Sequence, residues 1–145
     1  MPESTSSKGT LTNVSVLDSS IWIDQWRTGC HSKRIASIAG VVRLSSVVQA
    51  ELWRGVTKKS ESDLLNTLER NYPILTPTEK NWLESGRILS KMRADQGFTP
   101  EKVRDLHFDL LIALTARSYG ACLITSNRAD FELIRKYRDF ELEVW

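Results

Sequence analysis

Residues 13–24, NVSVLDSSIWID, decide how this chain is to be read. Val14, Val16 and Leu17 form a short apolar run of the kind a buried strand requires, and Asp18 stands at its exit. A helix-like stretch containing Ile21 and Trp22 follows at once. A carboxylate in that place has two readings. Either Asp18 or Ser19 caps the helix, or Asp18 faces the crevice outside the carboxyl end of a parallel strand, where open α/β sheets bind their ligands.

The same rhythm continues along the chain. Short β-branched runs near residues 13–17, 41–45, 73–75, 121–125 and 140–144 read as strands. Between them, helical patterns run over Ser20–Trp26, Ser32–Ala39, Ser46–Thr57, Ser60–Arg70, Thr78–Ala94 and Pro100–Tyr119. This alternation predicts an α/β fold, with helices layered around a central parallel sheet. Thr78 after Pro77, and Thr99 before Pro100, are helix starts, while Gly40, Gly97 and Gly120 are natural stops. The block Leu110-Leu111-Ile112-Ala113-Leu114 is apolar on every side, so its helix is expected to be buried.

Composition narrows the class. With 145 residues, 41% hydrophobic and 26% charged, the chain can bury the core of one ordinary domain. No repeat or linker divides it; residues 1–12 are polar and read as a disordered lead, leaving one domain over 13–145. A net charge of +2 neither demands nor opposes a polyanionic ligand. Cys30 and Cys122 are far apart and in no ligand spacing, which argues against zinc or a disulfide framework and for a reducing, cytoplasmic setting. No apolar run is long enough to span a membrane, and the first residues lack the core of a signal peptide.

Three further groups join Asp18. Glu51, in SSVVQAELWRG, lies about two turns into the helix after the second strand, among Val47, Val48 and Leu52. Asp109, in LHFDLLIALTAR, opens the apolar helix; as a bare structural feature it would only complement the helix dipole. In LITSNRADF, another apolar strand ends at Asn127, with Asp130 three residues on, a spacing that also fits a capping box. Each has an ordinary explanation alone. Together, they put carboxyl and amide groups at strand ends, or on the helices that follow, where one crevice can gather them.

Through VLDSSIWID, SSVVQAELWRG, FDLLIALTARSYG and LITSNRADFELI, in that order and spacing, the chain resembles the PIN-domain family, specifically its VapC-like toxins, over about residues 13–145. The resemblance implies a three-layer α/β/α fold, a Mg²⁺- or Mn²⁺-dependent endoribonuclease, neutralisation by a cognate antitoxin, and a homodimer. It makes Asp18, Glu51 and Asp109 the acidic core, with Asp130 or Asn127 completing the metal site. Many relatives carry a further acid in the strand-exit loop, where this chain has the neutral Asn127. Hard cations of this kind take oxygen ligands and retain several waters, so Asp18 and Asp109 suffice as direct ligands while Glu51 orients water. Ser19, Thr125 and Ser126 are candidate hydrogen-bond donors to the acids or to phosphate.

His107 lies two residues from Asp109, so on a helix the two face different ways, and a structural role is expected for it. Trp22 and Trp26 share a helix face as core anchors. Arg54, Arg117, Arg128, Arg135, Lys136 and Arg138 could form a basic rim. The Ser60–Ala94 helices, with Trp82, Gly86 and Leu89 at helical spacing, are the expected antitoxin surface. Two rivals stand beside this reading. A haloacid-dehalogenase-like phosphotransfer enzyme would need a second Asp where Ser20 stands, and a catalytically inactive PIN-like binding module would keep only the fold.

Overall fold

The computed structural model describes residues 13–145; the lead expected over 1–12 lies outside the described residues. Five strands form one sheet: β1 (Val14–Leu17), β2 (Val41–Ser45), β3 (Ile74–Leu75), β4 (Cys122–Thr125) and β5 (Glu141–Val144). Their order is β3-β2-β1-β4-β5, and every pairing is parallel. Val16 on the central strand faces Arg43 of β2 on one side and Leu123 of β4 on the other. The chain adds strands outward on one flank of β1 and then on the other. Crossovers of one hand therefore put their helices on opposite faces of the sheet, and a crevice opens where the direction reverses, beyond the ends of β1 and β4.

Among the described residues, seven helices flank the sheet: α1 (Ser19–Thr28), α2 (Ser32–Ala36), α3 (Ser46–Arg54), α4 (Lys59–Asn71), α5 (Glu79–Gln96), α6 (Pro100–Ser118) and α7 (Arg128–Tyr137). The expected starts hold for physical reasons. Thr78 and Thr99 accept hydrogen bonds from the Asn81 and Lys102 amides, and Ser45 accepts from those of Val47 and Val48, satisfying N–H groups that a helix start leaves unpaired. Two ends fall short of the sequence expectation. α2 stops at Ala36 rather than Ala39 because Gly40, at φ 88°, turns the chain so that the Val41 amide bonds the Asn13 carbonyl at 2.8 Å. α3 stops at Arg54 rather than Thr57 because Glu61, in the first turn of α4, takes the Thr57 amide at 2.9 Å. α7, foreseen only as a start at Asn127, runs on to Tyr137.

The core lies around α6. Leu106, Leu110, Leu111, Ile112, Ala113 and Leu114 are all buried, as the all-round apolar block requires. Each fully buried leucine contributes about 2 kcal/mol relative to exposure. α6 is thereby fixed as a spine, and Asp109 at the edge of its apolar block is held in place with it.

Candidate functional site

Asp18 lies at the switch point that the topology creates. Its amide donates to the Ile124 carbonyl at 2.9 Å, tying the exit of β1 to β4. It occupies the cap position of α1, yet its side chain makes no capping hydrogen bond. Instead Oδ2 accepts from Thr125 Oγ1 at 2.8 Å and from Ser20 Oγ at 2.9 Å. The carboxylate is 3% exposed, and Oδ1 is buried with no partner. Leaving a buried carboxylate oxygen unbonded is costly, so the arrangement calls for a donor or a cation from outside the chain.

Glu51 presents the same feature from α3, with its Oε1 buried and unpartnered. Burial and the nearby Asp18 charge raise its carboxyl above the ordinary range, against the opposing pull of a Ser19 hydrogen bond and the Arg54 charge. Asp109 projects from α6. Burial first, then the charges of Asp18, Glu51 and Asp130, push it up to about 8, with Lys102 acting in the other direction. At neutral pH Asp109 therefore holds a proton. The four acids named from the sequence share one electrostatic neighbourhood, crowded enough that one of them stays neutral without a counter-ion.

The loop after β4 supports this group from the other side. The Asn127 amide bonds Thr125 Oγ1 at 2.9 Å, and the Ser126 amide bonds Ser20 Oγ at 3.2 Å. Asn127 Oδ1 caps α7 by accepting from the Asp130 amide, while Nδ2 donates to Asp130 Oδ2 at 3.2 Å. Asp130 Oδ1 receives Lys102 Nζ at 3.0 Å. Asn127 thus spends its side chain on the helix and on Asp130, and it is Asp130 whose charge is felt by Asp109.

Among the described residues, no three or more His, Cys, Asp and Glu side chains are gathered closely enough to hold a metal ion by themselves. A hard cation that keeps most of its waters needs only one or two direct carboxylates. The all-oxygen donor set and the two orphaned buried oxygens, Asp18 Oδ1 and Glu51 Oε1, fit such an ion. Two residues of the site were not singled out from sequence for what they do here. Ser20, noted only as the missing second Asp of a phosphotransfer motif, orients Asp18, and Lys102 balances Asp130 and Asp109. His107 faces away, toward Ser85 Oγ at 3.1 Å and the edge of Trp82, as a structural role requires.

The PIN-domain family model matches residues 15–137. Among solved structures, the chain is similar to one in VapBC2 from Rickettsia felis bound to a DNA fragment from their promoter. The TM-score is 0.69 at 23% identity, covering 91% of this chain and 98% of that one. A chain of FitAB bound to an IR36 DNA fragment follows at TM-score 0.62 and 18% identity, over 90% of this chain and 94% of that one. A toxin–antitoxin complex from Klebsiella pneumoniae gives TM-score 0.59 and 19% identity, over 81% and 89%. No curated protein sequence matches.

Proposed function

The chain belongs to the PIN-domain family, and from that premise we propose that it is a Mg²⁺- or Mn²⁺-dependent endoribonuclease, the toxin of a type II toxin–antitoxin pair. The observation that carries the reading is the pair of buried, unpartnered carboxylate oxygens of Asp18 and Glu51, beside an Asp109 too crowded to ionise. The toxin–antitoxin assemblies among the similar folds support the choice of an antitoxin as partner. A homodimer is the second proposed partnership. Of the helices proposed to meet the antitoxin, α5 exposes Trp82 and Leu83, 50% and 55%, whereas Leu89 of the expected stripe is buried in the core.

The residues divide the work. Asp18 and Asp109 would hold the ion directly, Glu51 and Asp130 through water, and Thr125 and Ser20 fix the Asp18 carboxylate by its Oδ2, leaving Oδ1 for an ion to take. When bound, the ion supplies polarisation of the scissile phosphate and activation of the attacking water. Glu51, with its Oε1 buried and unpartnered, would orient a water of that ion. Asp109 must surrender its proton before it can ligate, so loading is coupled to pH.

The test is cleavage of structured RNAs by purified protein with Mn²⁺ or with chelator. Metal-dependent cuts are expected, and Asp18→Asn should abolish them while leaving the metal-free protein as stable or more so, since one charge leaves a repelling group. Full activity in that variant, with contaminating ribonuclease excluded, would remove Asp18 from the chemistry. RNA binding without turnover would make the chain an inactive PIN-like module.

A further inference from the structure

A polyanionic strand approaching four carboxylates needs cations beside them, and two stand there, Arg54 beside Glu51 and Lys102 beside Asp130 and Asp109. Arg54 closes α3, three residues after Glu51, whose carboxylate it influences. Its guanidinium lies over the Phe108 ring, 4.9 Å from the centroid, next in the chain to Asp109, and no carboxylate pairs with it among the described residues. Lys102, in the first turn of α6, bonds Asp130 at 3.0 Å and stands 6.0 Å from the centroid of Phe98. It is seven residues, or two turns, before Asp109, which puts both on one face of that helix.

We propose that Arg54 and Lys102 form a two-point clamp for the phosphates flanking the scissile one, so that an RNA strand crosses the acidic group from the end of α3 to the start of α6. The proposal rests on the nuclease reading and adds to it the residues that position the substrate. Arg54 is held against the Phe108 ring, which limits its excursions without consuming its charge. The Lys102–Asp130 pair is partly open to solvent, so it is weak and exchangeable: once an ion neutralises the acids, Lys102 is free to turn to phosphate. Both act as positioning residues, touching backbone phosphate rather than the reacting bond.

The experiment measures binding of a single-stranded RNA oligonucleotide to the protein with Asp18 intact and Ca²⁺, another hard cation that takes oxygen ligands, in place of Mn²⁺, over a range of salt. Arg54→Gln and Lys102→Gln are added singly and together, with Lys91→Gln, beside Arg87 and Tyr137 in a separate cleft, as control. Each clamp substitution should lower the log–log salt slope by about 0.7, and the pair by about 1.4, while the control leaves it alone. In turnover with Mn²⁺, the same substitutions should raise KM by a larger factor than they lower kcat. Unchanged slopes and KM overturn the clamp. So does a Lys102→Gln protein altered only in Mn²⁺ affinity or melting, which would make Lys102 a counter-ion of Asp130, and so does a failure to bind RNA at all. Absence of metal-dependent cleavage by the unsubstituted protein defeats the nuclease reading instead, and the binding slopes still decide the clamp.

Discussion

Asp18 occupies the place where a carboxylate would cap α1, and turns away from it. A capping side chain would bond an amide one turn into the helix; this one is drawn across to β4 by the Thr125 and Ser20 hydroxyls, which leaves one oxygen without a partner. Asn127 does the reverse, serving as the cap of α7 while Asp130 carries the charge. Asp130→Asn should therefore weaken Mn²⁺ binding by roughly 10- to 100-fold, the usual cost of losing an outer partner of a metal site. Asn127→Asp should bind the ion more tightly yet melt earlier without it, because it replaces an amide donor to Asp130 with a second carboxylate. Calorimetric titration with Mn²⁺ checks both. Normal metal affinity in an Asp130→Asn protein that only melts earlier would reduce Asp130 to part of the helix cap. The four acids were readable from strand-exit position and from charge amid apolar sequence. Ser20 and Lys102 were not, because a serine in a helix start and a lysine in a charged first turn acquire a role only from what the fold sets beside them.

At the scale of elements, α6 and the β1–β2 junction hold the site together from opposite directions. α6 carries Asp109 next to a stretch buried without a break from Leu110 to Ala116, so its position is set by the core. At the junction, a Cβ on Gly40 would lie 2.2 Å from the Asn13 carbonyl oxygen, the same oxygen that accepts the Val41 amide, and φ there is 88°. Gly40→Ala should therefore cost more than about 2 kcal/mol, through backbone strain and a clash with backbone that cannot retreat. Gly86, inside α5, has nothing within 4 Å of the corresponding position. Gly86→Ala should stabilise by about 0.5–1 kcal/mol, by helix propensity and a less flexible unfolded chain. Urea unfolding midpoints separate the two, and equal effects would contradict the assigned causes. Glycine punctuation was visible in the sequence, but which glycine is sterically compelled was not, since that depends on a carbonyl 27 positions away.

For the whole molecule, the crowded acids link stability to pH. Asp109 ionises near pH 4 in an unfolded chain and at about 8 in the folded one. Between those values the folded state keeps a proton that the unfolded state has lost, so stability from this group is full below pH 4, falls as pH rises, and levels off above 8. The slope is at most about 1.4 kcal/mol per pH unit, and the raised Glu51 adds in the same direction. Melts in chelator should drop between pH 5 and 8, Asp109→Asn should flatten that drop, and Mn²⁺ at about 100 times its dissociation constant should restore about 2.7 kcal/mol. A chelated protein whose melting does not fall over that range would remove the crowded carboxyl. The sequence by itself determined the alternation of strands and helices and the burial of α6, and it singled out the candidate acids, because periodicity and a charge among apolar neighbours are local properties of the chain. The tertiary structure alone decided that β1 is central, that the sheet reverses between β1 and β4, and that Asp18 answers to Thr125, 107 residues away, rather than to its own helix. Those outcomes depend on which strand pairs with which, a choice made by the packing of the whole core.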